Sequence, residues 1–77
     1  MEQTAFIEFV EEILEVGTST IAISDKLDDI EWDSLANITF IAEVDSKFGV
    51  SLDAERLGKS ETVSELYELL KDAIQAQ

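Results

Sequence analysis

Three stretches of this 77-residue chain repeat apolar residues at spacings of three and four, whereas only one short stretch alternates them. A single alternating segment has no second strand to pair with, so the period dictates helices. In residues 2 to 16, Phe6, Phe9, Val10, Ile13 and Leu14 recur with Glu8, Glu11, Glu12 and Glu15 between them, which reads as an amphipathic helix closed by Gly17 at its C-terminus. The period resumes at Asp33. There Leu35, Ile38, Ile41, Ala42 and Phe48 are expected to face a core, Phe40 and Val44 to extend the apolar arc sideways, and Gly49 to end the helix. A short helix is expected near residues 53 to 58 within "SLDAERLGK". Thr62 followed by Glu65 has the spacing of a capping box, and Val63, Leu66, Tyr67, Leu70 and Ile74 then give a last helix its apolar face.

The expected fold is therefore all-α, a small four-helix bundle of three long helices and one short one in a single domain over residues 1–77. The chain has no cysteine, so its core must hold it together without a disulfide or a thiolate metal site. A composition of 45% hydrophobic and 30% charged residues suits that task. Between the first two helices lies a long connection, residues 18 to 32. Its "TSTIAIS" is β-branched and alternating, but with no partner strand it reads as a loop pinned to the core by Ile21, Ile23, Leu27 and Ile30.

Much chemistry is excluded. With neither histidine nor cysteine, the chain lacks the usual imidazole base, the thiol nucleophile and the soft metal ligands. Neither "DKLDDIEWDSLA" nor "DSKFGVSLDAER" places glycine sixth and glutamate twelfth, as an EF-hand requires. Paired carboxylates working as acid and base need a substrate cleft for which a chain this small has little room. No metal site and no enzymatic activity are expected. The net charge of -13 repels phosphate backbones and attracts basic protein surfaces, which excludes nucleic acid as a ligand class. Residues 1 to 46 carry 12 acids against Lys26 alone, so the field is concentrated in that part of the chain. No apolar run is long enough to span a membrane, and "MEQTAFIEF" has no basic region ahead of an apolar one. The expected protein is a cytoplasmic monomer.

Ser34, directly after Asp33, stands where an acidic loop turns into the second helix. If Asp33 is the N-cap, its carboxylate accepts from a first-turn amide and Ser34 occupies the first helical position, beside the positive end of the helix dipole. Such a serine can be no more than part of a helix start, or it can carry an anionic group that the free amides favour.

The triplet Asp33-Ser34-Leu35, opening the second helix of a small, acidic, cysteine-free four-helix chain, resembles the acyl carrier proteins and the related peptidyl carrier domains. The resemblance extends over nearly the whole chain, through "WDSL", "FGV" closing the second helix and "ETVSEL" opening the fourth. It implies that Ser34 is the attachment point of 4'-phosphopantetheine, with Asp33 and Leu35 flanking the site. In the family a phosphopantetheinyl transferase uses the serine hydroxyl to attack the pyrophosphate of coenzyme A, and the thiol at the end of the arm holds an acyl group as a thioester. Carriers of this family can also shelter the acyl chain between helices, which here would involve Ile38, Ile41, Ala42, Phe48, Leu66 and Leu70; by default these are core residues.

The resemblance also implies acyl-loading, acyl-transfer or condensing enzymes with basic docking surfaces as partners. Carriers of fatty-acid synthesis place acids early in helix two, where this sequence has Ala36 and Thr39, and Lys47 replaces an acid near the helix end. Glu43 and Asp45 keep the acidic character, and Asp29 and Glu31 are the expected loop contribution to docking. Trp32 is a further departure: its indole either packs under the loop with its N–H toward solvent or touches the arm or a partner. These departures point to a specialised biosynthetic pathway as much as to a fatty-acid-like one. Two alternatives stay open, an aminoacyl or peptidyl carrier and an unmodified acidic helical interaction module. Self-repulsion in so acidic a chain predicts that the melting temperature rises as salt goes from about 0.01 to about 0.15 M, measured by thermal denaturation; a flat response would contradict it.

Overall fold

The computed structural model describes residues 2–17 and 20–76, and among them it contains four α-helices and no β-strand. These are α1 (Gln3–Leu14), α2 (Ser34–Phe48), α3 (Ala54–Lys59) and α4 (Val63–Gln75), with a 3-10 turn at Leu27–Ile30 in the connection before α2. The architecture is the expected one, three long helices and one short one.

The core forms around aromatic rings. Phe6, Phe9 and Val10 of α1 are buried against Phe40 and Val44 of α2 and Val63, Leu66, Leu69 and Leu70 of α4. Phe40 has no exposed surface, and its ring centroid lies 6.1 Å from Phe6, 5.7 Å from Phe9 and 5.6 Å from Trp32. Tilted and edge-to-face contacts of this kind add about 0.5 to 1.5 kcal/mol per pair to the burial itself. Tyr67 reaches Phe6 at 5.2 Å and ties α4 to the same cluster.

This cluster fixes the rotation of α2, and it does so differently from the sequence expectation. The buried positions are Ala36, Phe40 and Val44, spaced by four, while Ile41 and Phe48 are half-buried. Leu35 is 70% exposed, Ile38 is 64% exposed, and Ala42 is also exposed. Ile38 lies about 160° round the helix from Phe40, so the two cannot both face the core. The expectation that Leu35, Ile38 and Ala42 face inward, with Phe40 and Val44 to the side, is therefore corrected. α2 is apolar almost all round, and a large aromatic that fits a ring cluster outweighs smaller aliphatic side chains in setting its phase.

Helix ends follow the expected chemistry with two local differences. Thr62 Oγ1 accepts from the Glu65 amide at 3.2 Å, but the Glu65 carboxylate accepts from the Glu61 amide, one residue before the cap, rather than from Thr62. α1 is closed by Glu15 in the left-handed region at φ 58°, not by Gly17, and the amide of Val16 bonds the Glu11 carbonyl. Gly49, with φ 66°, closes α2 as expected. Asp53 caps α3 by accepting from the Glu55 amide.

The long connection is held at two ends. Near α1, the Glu11 carboxylate is only 2% exposed and accepts from the amides of Thr20 and Ile21 at 2.9 and 3.0 Å. Near α4, the Leu27 amide donates to the Glu61 carbonyl and the Val63 amide donates to the Asp25 carbonyl, an isolated antiparallel bridge. Ile21 and Leu27 are buried, and Ile23 and Ile30 pack against the core. Thr18 and Ser19 of the "TSTIAIS" stretch lie outside the described residues. Hydrogen bonds to a buried charge contribute about 1.5 to 3 kcal/mol, so Glu11→Ala is expected to lower unfolding free energy by about 2 kcal/mol in urea denaturation. A loss no larger than that of an exposed acid such as Glu8→Ala would contradict this role.

Candidate functional site

Every element on the approach to Ser34 is tied down. The 3-10 turn ends at Glu31, which takes a left-handed conformation at φ 59° and so reverses the chain toward α2. The Trp32 amide then bonds the Leu27 carbonyl at 3.1 Å, and its indole, 8% exposed, packs edge-on against Phe40. Asp33, extended at φ -116° and ψ -169°, is the N-cap of α2 and accepts from the Ala36 amide at 3.0 Å. Its carbonyl takes the first helical bond, from the Asn37 amide at 3.0 Å.

Ser34 is thereby set at the first position of α2, exposed, on a base anchored by an aromatic. The amides of Ser34 and Leu35 have no carbonyl within the helix to bond, and they add to the partial positive charge at the helix start. The site thus pairs an accessible hydroxyl with a local field that stabilises an anion attached to it. An attached phosphodiester fits this place.

The other expected site residues separate into three groups. Leu35, Ile38 and Ala42 share the exposed side of α2, so a lining role inside the bundle is corrected for Ile38 and Ala42. Leu66 and Leu70 are wholly buried, and Ile41 and Phe48 are half-buried at the edge of the core. Asp29, Glu31 and Asp45 are exposed, while Glu43 is partly covered and sits 4.0 Å from Lys47.

Trp32 belongs to the core rather than to a docking surface, and its N–H does not point to solvent: Nε1 donates to Asn37 Oδ1. Sequence reading missed Asn37 because no periodic or capping rule links a residue before a helix to one in its first turn through an indole. It also missed the contribution of α1. A groove of about 480 Å³ beside Ser34 is lined by Phe9, Glu12 and Ile13 of α1 as well as by Asp33, Leu35 and Thr39.

Among the described residues, no three acids are grouped to hold a metal ion, and no helix is long and apolar enough to cross a membrane. What these features define is a small helical protein that presents the Ser34 hydroxyl at the first position of a helix whose start is capped by Asp33 and packed on Trp32. The phosphopantetheine attachment site family matches residues 4–70, and the chain belongs to that family. Searches of curated proteins and of solved structures give no match. The protein is accordingly a phosphopantetheine carrier, with 4'-phosphopantetheine as its prosthetic group.

Removing the cap carboxylate with Asp33→Ala leaves the Ala36 amide without its acceptor. The expected cost is about 1 kcal/mol of unfolding free energy, read by chemical denaturation, and an unchanged midpoint would show that the cap contributes nothing.

Proposed function

We propose that this protein is a non-enzymatic acyl carrier in which Ser34 bears the 4'-phosphopantetheine arm. The observation that carries this reading is the position of Ser34: exposed, first in α2, and inside the span matched by the family. On this reading the Ser34 Oγ attacks the phosphorus next to the pantetheine portion of coenzyme A. The Oγ–P bond forms, the pyrophosphate bond breaks, adenosine 3',5'-bisphosphate leaves, and the hydroxyl proton passes to a base of the transferase. Once attached, the group supplies a thiol on which acyl cargo is held as a thioester.

The residues of the chain then have distinct tasks. Asp33 holds the helix start in shape, and the Ser34 and Leu35 amides face the phosphodiester with the positive end of α2. Leu35 and Ile38, exposed beside Ser34, give visiting enzymes an apolar contact. Asp29, Glu31, Glu43 and Asp45 attract the basic docking surfaces of the transferase and of acyl-loading, acyl-transfer or condensing enzymes, raising encounter rates more than final affinity. Ile41, Phe48, Leu66 and Leu70 are the residues an acyl chain would meet between helices; since Leu66 and Leu70 are closed over, such a chain must open the core to reach them. A specialised biosynthetic pathway in the cytoplasm suits the departures at Ala36, Thr39 and Lys47 from the acidic docking pattern.

Intact-protein mass spectrometry after incubation with coenzyme A, magnesium and a promiscuous phosphopantetheinyl transferase tests the proposal. The parent is expected to gain one phosphopantetheine mass, and Ser34→Ala to gain none while keeping the parent's helical circular dichroism. Loading of the variant, or a folded parent that several transferases fail to load, would refute it.

A further inference from the structure

Asn37 is the chain's sole asparagine, and it is held through both its backbone and its side chain. Its backbone amide donates to the Asp33 carbonyl at 3.0 Å, and its Oδ1 accepts from the indole Nε1 of Trp32, a residue that precedes the helix. A side chain in the first turn that bonds a residue before the N-cap must fold back toward the N-terminus, the direction in which helical side chains already lean. Ser34, three positions earlier, is its neighbour on that turn.

The bond to Trp32 also decides which way the Asn37 amide faces. An indole N–H can only donate, so the atom that meets it is the oxygen, and the NH2 group is turned to the other edge of the amide. Without that partner a terminal amide has two broad orientations. Trp32 is itself fixed, since it is 8% exposed and its ring packs 5.6 Å from Phe40. Nδ2 makes no bond to any described residue, and among those residues the one enclosed side-chain polar atom without a partner is Glu11 Oε1. The Asn37 NH2 therefore reaches the surface with its donors unused.

The surroundings of Ser34 need such donors. Residues 27 to 46 contain no lysine or arginine, and Glu31 and Asp33 place two carboxylates on the approach to the serine. Lys47, Arg56 and Lys59 are each engaged by acids elsewhere. A phosphodiester on Ser34 is an anion set beside an acid, and the donors that its own segment offers are neutral ones, the free first-turn amides and Asn37 Nδ2.

We propose that Asn37, oriented by Trp32, donates from Nδ2 to a phosphodiester oxygen of the group on Ser34 and so sets the direction in which the arm leaves the helix. Trp32 acts through Asn37 and is a positioning residue. The inference rests on the carrier reading and adds to it a side chain that holds the attached group, a task that the cap and the helix dipole do not assign.

The test follows the Asn37 side-chain NH2 resonances of the 15N-labelled protein before and after phosphopantetheine loading, with loading scored by intact mass. One of the two NH2 protons is expected to move downfield, while the side-chain amide of Gln3, at the other end of α1 from the groove beside Ser34, stays in place. Trp32→Phe keeps an aromatic ring but has no N–H to orient the amide, so the Asn37 movement should shrink while the Ser34 and Leu35 backbone amides still shift. Asn37→Asp keeps an oxygen for the indole and puts a carboxylate where the N–H was, so loading should lower its melting temperature relative to the parent's. If Asn37 only braces Trp32, its NH2 resonances are indifferent to loading, and the melting-temperature gap between Asn37→Asp and the parent is the same in both states. Either result on a loaded parent, or an Asn37 movement undiminished in Trp32→Phe, overturns this inference alone. A parent that no transferase loads removes the carrier reading, and this inference with it.

Discussion

The packing of Phe40 into the rings of Phe6, Phe9 and Trp32 is the constraint on which the rest of this structure depends. It decides which side of α2 is buried, and a helix that is apolar almost all round has no other strong determinant of its rotation. Burying a phenylalanine contributes about 1.5 to 3 kcal/mol, and the ring contacts add to that. With Phe40 inward, Ala36 and Val44 follow at spacings of four, and Ser34, Leu35 and Ile38 are left outside. The exposure of the candidate attachment serine is thus a consequence of aromatic packing six residues further along the helix.

Trp32 connects that core to the site. Its ring is part of the cluster, its backbone amide closes the 3-10 turn, and its indole N–H bonds Asn37 in the first turn of α2. The residue just before the N-cap therefore cannot move without disturbing the core. A prosthetic arm is flexible, so the carrier controls where cargo is presented chiefly by fixing the point of attachment. Glu11 performs a comparable task at the other end of the connection, where its buried carboxylate replaces the backbone partners that a loop otherwise lacks.

Electrostatics acts on a larger scale. Eighteen acids against five bases leave the surface strongly negative, and most of the imbalance falls in α1, the connection and α2, the elements around Ser34. Such a field costs some stability through self-repulsion and speeds encounter with basic partners. Lys47 moderates it locally, between Glu12 of α1 and Glu43 of α2 and over the Phe9 ring. What reads in sequence as the loss of an acidic docking residue is, in the fold, a cation that links two helices through exposed pairs of modest strength.

Local signals determined much of this protein. The spacing of apolar residues fixed the three long helices, Gly49 marked an end, Thr62 marked a start, and Asp33 before Ser34 announced both the cap of α2 and the candidate attachment serine, because each depends on neighbours within a turn. The family resemblance rested on the same short-range pattern. Tertiary structure alone decided the rotation of α2, the burial of Glu11, the left-handed Glu15, the Trp32 to Asn37 bond and the groove between α1 and α2. The loop contacts of Glu11 and the groove depend on residues distant in sequence, and the rotation of α2 is set by rings from other elements. Even where the residues are near in sequence, as in the turn at Glu15, the conformation follows from how the chain must leave one helix to reach the next.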